Sequence, residues 1–201
     1  MKLHWSPKSP YVRKVMVCAH ETGLVSDLQL VRSVAAMLEP NPAIMQDNPL
    51  SKIPTLVLDD GRTLFDSRVI CAFLDERAGG RLFPGPGDAR WQAERWHAFG
   101  DGLLDALILW RNERDRAEPL QPLMAAFEIK TTASLVQLER EVPVLRSSTL
   151  TIGHIAIGCA LGYLDYRFAD LAWRTRAPAL AIWFATLSGR LSFEKTVPVD
   201  G

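Results

Sequence analysis

Three short stretches in the first third of the chain combine residue types that suit binding of an anion or an extended peptide. The first is Ser9 directly before Pro10. Proline fits the first position of a helix because its missing N–H has no intrahelical partner there, which makes Ser9 the N-cap. The free N–H groups and dipole at such an end favour a negative charge. The Ser9 hydroxyl either caps the helix alone or also donates a hydrogen bond to an anion. The second stretch is Ser51-Lys52-Ile53-Pro54-Thr55. Pro54, just before an apolar run, either adopts a cis bond, which X–Pro bonds accept at low cost, or opens an edge strand in trans. A cis bend leaves the backbone of Ile53 available to pair with an extended peptide as an added strand would. Lys52 is either a carboxylate partner or a solvated lysine. The third is Phe65-Asp66-Ser67-Arg68. Ser67, at the start of a helix, suits a carboxylate, and Asp66 offers an acceptor to an ammonium group; capping alone is the alternative for both.

These stretches serve one site only if the intervening elements bring them together. Lys2–Trp5 reads as a short strand. Val12, Val15, Met16 and Ala19 recur at helical spacing after Pro10, and the helix stops at Gly23. Leu28 and Leu30 alternate with polar neighbours in a second strand. After an irregular stretch from Glu39 to Pro49, Thr55–Leu58 turns through Asp59-Asp60-Gly61 into Arg62–Phe65, the pattern of an antiparallel hairpin. Val69, Ile70, Phe73 and Leu74 mark a helix that lies on the sheet. The order βαβ-ββα predicts a small α/β domain over residues 1–78.

Residues 79–87, with four glycines and two prolines, are the expected linker. Residues 88–201 read as an all-α bundle. Trp91, Trp96, Phe99, Leu103, Leu107 and Trp110 predict the buried face of one long helix, and Leu123, Phe127, Leu135 and Leu138 a second that ends before Pro143. Thr151 opens a third helix, whose Gly158 and Gly162 permit close packing. Pro178 opens a fourth that carries Leu180, Trp183, Phe184 and Leu187 and ends at Gly189.

Composition narrows the function. The 201 residues are 48% hydrophobic and 23% charged, the balance of a chain with a substantial core, which excludes general disorder. Basic and acidic residues cancel at 23 each, and they cancel within each half as well: 9 and 9 in residues 1–78, 14 and 14 thereafter. Neither half is an electrostatic arm for nucleic acid or an acidic membrane, so an anionic ligand must be held by local devices. The first residues lack the apolar core of a signal peptide, and no apolar run reaches the ~20 residues of a membrane span. The expectation is a cytoplasmic protein. Cys18, Cys71 and Cys159 have no metal-ligand spacing and are expected as buried small hydrophobes. His4, His20, His97 and His154 show neither metal spacing nor a serine or cysteine partner, and no metal is expected.

Ser-Pro-Tyr-Val-Arg-Lys (9–14), Asn-Pro-Leu-Ser-Lys-Ile-Pro-Thr-Leu (48–56), Phe-Asp-Ser (65–67) and the long helical second half resemble a bacterial cytosolic glutathione S-transferase. The resemblance covers essentially the full chain and is most specific in Lys-Ile-Pro-Thr-Leu followed, across a hairpin, by Asp-Ser. It implies a thioredoxin-like N-terminal domain that binds glutathione as co-substrate, a helical domain that supplies most of the second-substrate pocket, and a homodimer. It also implies that Ser9 contacts the glutathione sulfur, with Ser6 as the alternative. Ile53 would pair with the cysteinyl part beside cis-Pro54, Asp66 and Ser67 would hold the γ-glutamyl end, and Lys52 would approach the glycyl end or another carboxylate. The implied reaction is thiolate attack on a small hydrophobic electrophile or a peroxide, a detoxification chemistry. Asp101 and Asp105, on one face of the long helix, are either cleft or cross-subunit residues or solvated charges, and Trp110 either lines the electrophile pocket or packs in the core.

Two departures stand out. The family's helical domain commonly carries a Ser/Thr-x-x-Asp capping box, and here Thr151-Ile-Gly-His154 has histidine at the acidic position. The Ser-Ser-Cys-x-Trp signature of the zeta class is missing. A non-catalytic ligand-holding or interaction module on the same fold is the competing reading. A thioredoxin-type oxidoreductase would need a cysteine at the start of the first helix, and Cys18 lies about two turns further along.

Overall fold

In the computed structural model, which describes residues 1–200, the chain forms two compact units: residues 1–90 with 191–200, and residues 91–190. The first unit is built on a four-stranded sheet of order β2-β1-β3-β4, from β1 (Lys2–Trp5), β2 (Gln29–Arg32), β3 (Thr55–Val57) and β4 (Thr63–Leu64). β1 runs parallel to β2 and antiparallel to β3, and β3 is antiparallel to β4. Leu3 and His4 are both buried, and successive side chains of a strand point to opposite faces, so both faces of β1 are covered. β2 is an edge strand: Leu28 is buried just before it, but Leu30 is 42% exposed. Helix α1 (Pro10–Thr22) starts and stops where Ser9 and Gly23 predict, with Gly23 in the left-handed region at φ 75°. Helix α2 (Pro42–Met45) is one short turn capped by the Asn41 side chain, and α3 (Ser67–Arg77) packs beside α1. All three cysteines are buried; the Cys18 thiol on α1 points at the Cys71 carbonyl of α3, 3.6 Å away.

The buried Asp75 side chain ties down the glycine- and proline-rich connection after α3. Asp75 is 2% exposed, and its carboxylate accepts the N–H groups of Arg81, Leu82 and Phe83 at 2.9, 2.8 and 3.0 Å. Residues 191–200, which the sequence pattern assigns to the helical half, return to the first unit. There Phe193 is fully buried, with the Arg13 guanidinium 5.4 Å from its ring centroid, and Ser192 donates to Glu21 at 2.5 Å.

The helical unit contains α4 (Asp88–Arg114), α5 (Gln121–Ser147), α6 (Ile152–Arg167), the short α7 (Trp173–Arg176) and α8 (Pro178–Ser188); α9 (Leu191–Glu194) belongs to the returning segment. Trp96, Leu103, Leu107 and Trp110 line the buried face of α4, but Trp91 is 69% exposed. Five positions before Trp96, it sits about 140° around the helix from it. Helix α5 continues through Pro143 and does not end before it, because Val142 and Leu145 on either side are buried while Pro143 itself is exposed. Burial of that apolar face outweighs the one backbone hydrogen bond the proline removes. Close packing between α4 and α6 falls on Gly100 and Gly153. A Cβ on Gly100 would lie 2.5 Å from the Ala156 backbone carbon, and one on Gly153 2.5 Å from Trp96 Cβ. Two helix starts are capped from outside their own first turn or by an unexpected residue. Glu139 of α5 accepts the Ala179 and Leu180 N–H groups of α8 at 2.9 and 2.7 Å, and His154 Nδ1 accepts the Thr151 N–H at 3.1 Å. Histidine thus takes the acceptor role of the expected acid in the capping box.

His154 confers a pH dependence on stability. Its Nδ1 is an acceptor and its Nε2 stands 3.2 Å from the Leu145 carbonyl, an arrangement that requires the neutral ring with hydrogen on Nε2. Burial pushes its pKa below the ordinary 6.5, against the opposing effect of the Leu145 carbonyl. The folded value lies below the unfolded one, so the unfolded chain takes up the extra proton first as pH falls. The stabilisation is complete above about pH 6.5 and is lost as pH falls through the folded value, with a slope of at most about 1.4 kcal/mol per pH unit. Urea midpoints measured from pH 8 to pH 5 should fall below pH 6.5 in the wild type, and His154→Gln should flatten that part of the curve.

Candidate functional site

The strand register decides whether the three candidate stretches meet. His4 pairs with Thr55 across β1 and β3, and Leu56 with Leu64 across β3 and β4. The end of β1, the start of β3 and the end of β4 therefore lie at one end of the sheet. From that end emerge the Ser6–Ser9 turn with α1, the Lys52–Pro54 segment, and the Phe65–Asp66 connection with α3. Two helix N-termini and one extended segment are thus brought together by topology.

Each element sets its own side chains. Ser9 Oγ accepts the Val12 N–H at 3.3 Å, and the Ser9 carbonyl accepts the Arg13 N–H at 2.9 Å. A hydroxyl has two lone pairs and one hydrogen, so capping leaves the Ser9 O–H free to donate. Ser6 lies in the preceding turn, where its Oγ accepts the Lys8 N–H at 3.4 Å and its carbonyl the Ser9 N–H at 3.3 Å. Ser9 is the serine seated at the positive end of α1. The Ile53–Pro54 bond is cis, and Ile53 lies before Thr55, the first residue of the ladder. Lys52 is exposed and Pro54 buried. At the third stretch the Phe65–Asp66 bond is also cis. Asp66 is the N-cap of α3, its Oδ1 accepting the Arg68 N–H at 2.9 Å, and Ser67 is the first helical residue, 2% exposed. The exposed Asp66 carboxylate has a second oxygen available beyond the cap.

Sequence reasoning missed the residues that hold these stretches in shape. Asn48, 1% exposed, donates to the Lys52 carbonyl at 3.3 Å and to Thr55 Oγ at 2.9 Å, and Thr55 Oγ donates to the same carbonyl at 2.9 Å. Ser51 sits in the left-handed region at φ 53°, its hydroxyl accepting the Asn41 N–H at 2.7 Å. The available signal was Asn48 before Pro49, since asparagine commonly closes such turns, and it does so here on the Leu50 N–H at 3.0 Å. The expectation that no histidine has a serine partner is corrected, since His4 Nδ1 stands 2.8 Å from Ser33 Oγ; His4 Nε2 also meets Asp47 at 2.8 Å, and His97 Nε2 lies 3.4 Å from Asp101. These partners lie far apart in sequence or one helical turn away, where pattern reading finds no link.

In the helical unit the remaining candidates occupy different environments. Asp101 is 3% exposed beside His97, whereas Asp105 is exposed. Trp110 is 4% exposed and packs on Phe168 with ring centroids 5.0 Å apart.

Comparison with known proteins gives the arrangement a lineage. Residues 8–77 match the family described as glutathione S-transferase, N-terminal domain. A glutathione transferase family member from Pseudomonas fluorescens Pf-5, solved with bound glutathione, is 42% identical and superposes with a TM-score of 0.94 over 99% of both chains. The chain belongs to the glutathione transferase family. A glutathione S-transferase from Methylobacillus flagellatus KT, solved with glutathione bound, is 34% identical, with a TM-score of 0.90 over 98% of this chain and 99% of that one. Among curated relatives of this family member, the uncharacterized GST-like protein YibF of Escherichia coli K12 is 29% identical over 98% of each chain. The first unit is thus the family's thioredoxin-like domain, and the fold continues as its helical region.

Proposed function

We propose that this chain is a glutathione transferase that binds the tripeptide at the sheet end described above and activates its thiol with Ser9. One observation carries the reading: Ser9, the segment before cis-Pro54 and the N-terminus of α3 share one end of the sheet. Glutathione is an extended peptide with a thiol, two carboxylates and an ammonium group. Ile53 would pair with its backbone as an added strand does. Ser67 and the first N–H groups of α3 would hold the γ-glutamyl carboxylate, and Asp66 the ammonium. Lys52 would lie near the glycyl carboxylate. The bound glutathione in the two solved relatives supports this assignment.

The thiolate is the nucleophile. The Ser9 O–H and the dipole of α1 both favour the anion, which raises its fraction at neutral pH. Attack on an electrophilic carbon forms the C–S bond while the leaving group departs with the bonding pair. Small hydrophobic electrophiles, and peroxides as an alternative oxidant of the thiolate, are the expected co-substrates, in a cytoplasmic, detoxifying homodimer. Among the described residues no helix is long and apolar enough to cross a membrane.

Calorimetric titration with glutathione tests the assignment. The wild type should bind at or below millimolar concentration, and Ser67→Ala should weaken binding roughly tenfold, the scale of one hydrogen bond to a charged group. Absence of binding at millimolar glutathione would overturn the proposal. Binding without turnover of an aryl halide or a hydroperoxide would leave the non-catalytic ligand-holding module as the function.

A further inference from the structure

A carboxylate ties the irregular segment between β2 and β3 to β1. Asp47 Oδ2 accepts from Lys2 Nζ at 2.6 Å and from His4 Nε2 at 2.8 Å, both on β1. The other ring nitrogen of His4 stands 2.8 Å from Ser33 Oγ at the end of β2. His4 is 4% and Ser33 6% exposed, so the inner part of this array is built into the structure, while the Asp47 and Lys2 side chains at its outer end are 20% and 38% exposed. Serine, histidine and aspartate in line suggest a nucleophile relay, but Ser33 is buried, out of reach of a substrate. The array therefore works as an anchor.

What it anchors is adjacent in the chain. The N–H groups of Asp47 and Asn48 both end on the Ile44 carbonyl, at 3.0 and 2.8 Å, which fixes the two residues together at the close of α2. Asn48 then holds the Lys52 carbonyl and Thr55 Oγ, and with them the backbone that leads into Ile53. A continuous path of hydrogen bonds and two covalent neighbours runs from β1 through Asp47 to the Lys52–Pro54 segment. We infer that Asp47 is a positioning residue for glutathione, setting the backbone of Lys52 and Ile53 without touching the tripeptide itself. This rests on the binding mode proposed above. Such a residue acts on binding geometry and leaves the chemistry at Ser9 alone, so its loss belongs in affinity and not in turnover at saturation. Hydrogen bonds from His4 and Lys2 hold the Asp47 carboxyl below its ordinary range, so it remains an anion at neutral pH.

Asp47→Asn keeps the size and removes the charge. In the ligand-free protein, hydrogen exchange of the Leu50 and Ser51 amides, which end on Asn48, should quicken about tenfold while exchange in α1 is unchanged. The glutathione Kd and KM should rise roughly tenfold with kcat at saturating glutathione within about twofold. Asn48→Ala should do the same, and the double variant should lose no more than the larger single loss, because both act through one path. Unchanged exchange at Leu50 and Ser51, additive losses in the double variant, or a fall in kcat with KM preserved would each overturn the inference. If the wild type does not bind glutathione, the proposed function fails, while the exchange measurement still decides whether Asp47 holds the segment. Should Asp47→Asn not fold, Lys2→Met removes one of the two donors from a part-exposed position and carries the same test.

Discussion

Replacing Ser9 with alanine is expected to lower kcat/KM for glutathione conjugation about 100-fold, the scale of removing one hydrogen-bond donor from a developing or bound anion. Glutathione affinity should change far less, because in the proposed binding mode the Ile53 backbone and the α3 N-terminus carry the peptide contacts. The loss reflects a smaller thiolate fraction: without the hydroxyl, only the dipole and free N–H groups of α1 favour the anion. The pH profile of kcat/KM should accordingly move to higher pH, and the deficit should shrink at alkaline pH where the thiol ionises unaided. Alanine also deprives the Val12 N–H of its partner at 3.3 Å, which costs about 1 kcal/mol of stability. A denaturant midpoint measured beside the kinetics separates that cost from the chemistry. Ser6→Ala is the matched control, since Ser6 lies in the turn before α1 and not at its positive end. If Ser9→Ala turns over as fast as the wild type while Ser6→Ala does not, the sulfur contact belongs to Ser6.

The largest expected effect on stability is at Gly100. An added Cβ there would lie 2.5 Å from the Ala156 backbone carbon, 2.7 Å from the Ile157 nitrogen and 2.8 Å from Ala156 Cβ. The obstacle is helix backbone, which cannot rotate away as a long side chain can, so α4 and α6 must separate. Overpacking of this kind costs roughly 3 kcal/mol, and alanine returns only about 1 kcal/mol through its better helix propensity. A net loss of about 2 kcal/mol corresponds to a Tm drop of several degrees in a chain of this size. Gly102, two residues on with open space around it, is the control: Gly102→Ala should be neutral or mildly stabilising. Differential scanning calorimetry of the two variants reads both outcomes, and equal Tm values would show that α4 and α6 are free to move apart. Glycine at position 100 is thus required by a close approach, and glycine at 102 by nothing in the structure.

The features legible in the sequence share a physical cause: each is settled within a few residues. Ser9-Pro10 and Gly23 delimit α1 because capping and left-handed closure are local events. The Asp59-Asp60-Gly61 turn joins β3 to β4 in antiparallel pairing for the same reason. The candidate residues Ser9, Pro54, Asp66 and Ser67 could be singled out in the sequence because each stands at a boundary where backbone groups are left unpaired. Where the pattern failed, the deciding partner was distant. Trp91 looked like part of a stripe until the neighbouring helices determined which face of α4 is covered. Pro143 is an interruption by local rules, yet α5 passes through it because buried Val142 and Leu145 face a partner helix.

By itself, then, the sequence determined the ends of those elements whose caps and turns are local, such as α1 and the β3–β4 hairpin, and which residues at such ends are equipped to meet an anionic peptide. Only the tertiary structure decided that these ends coincide. The pairing of His4 with Thr55 and of Leu56 with Leu64 places them at one end of one sheet, and strand register is a long-range property set by how both faces are buried. The supports were equally beyond local reading. Asp47 reaches back 45 residues to Lys2, and Glu139 reaches 40 forward to Ala179, to satisfy backbone or charge left over elsewhere. A buried polar group must find a partner wherever the fold provides one, and neither spacing nor composition specifies where that will be.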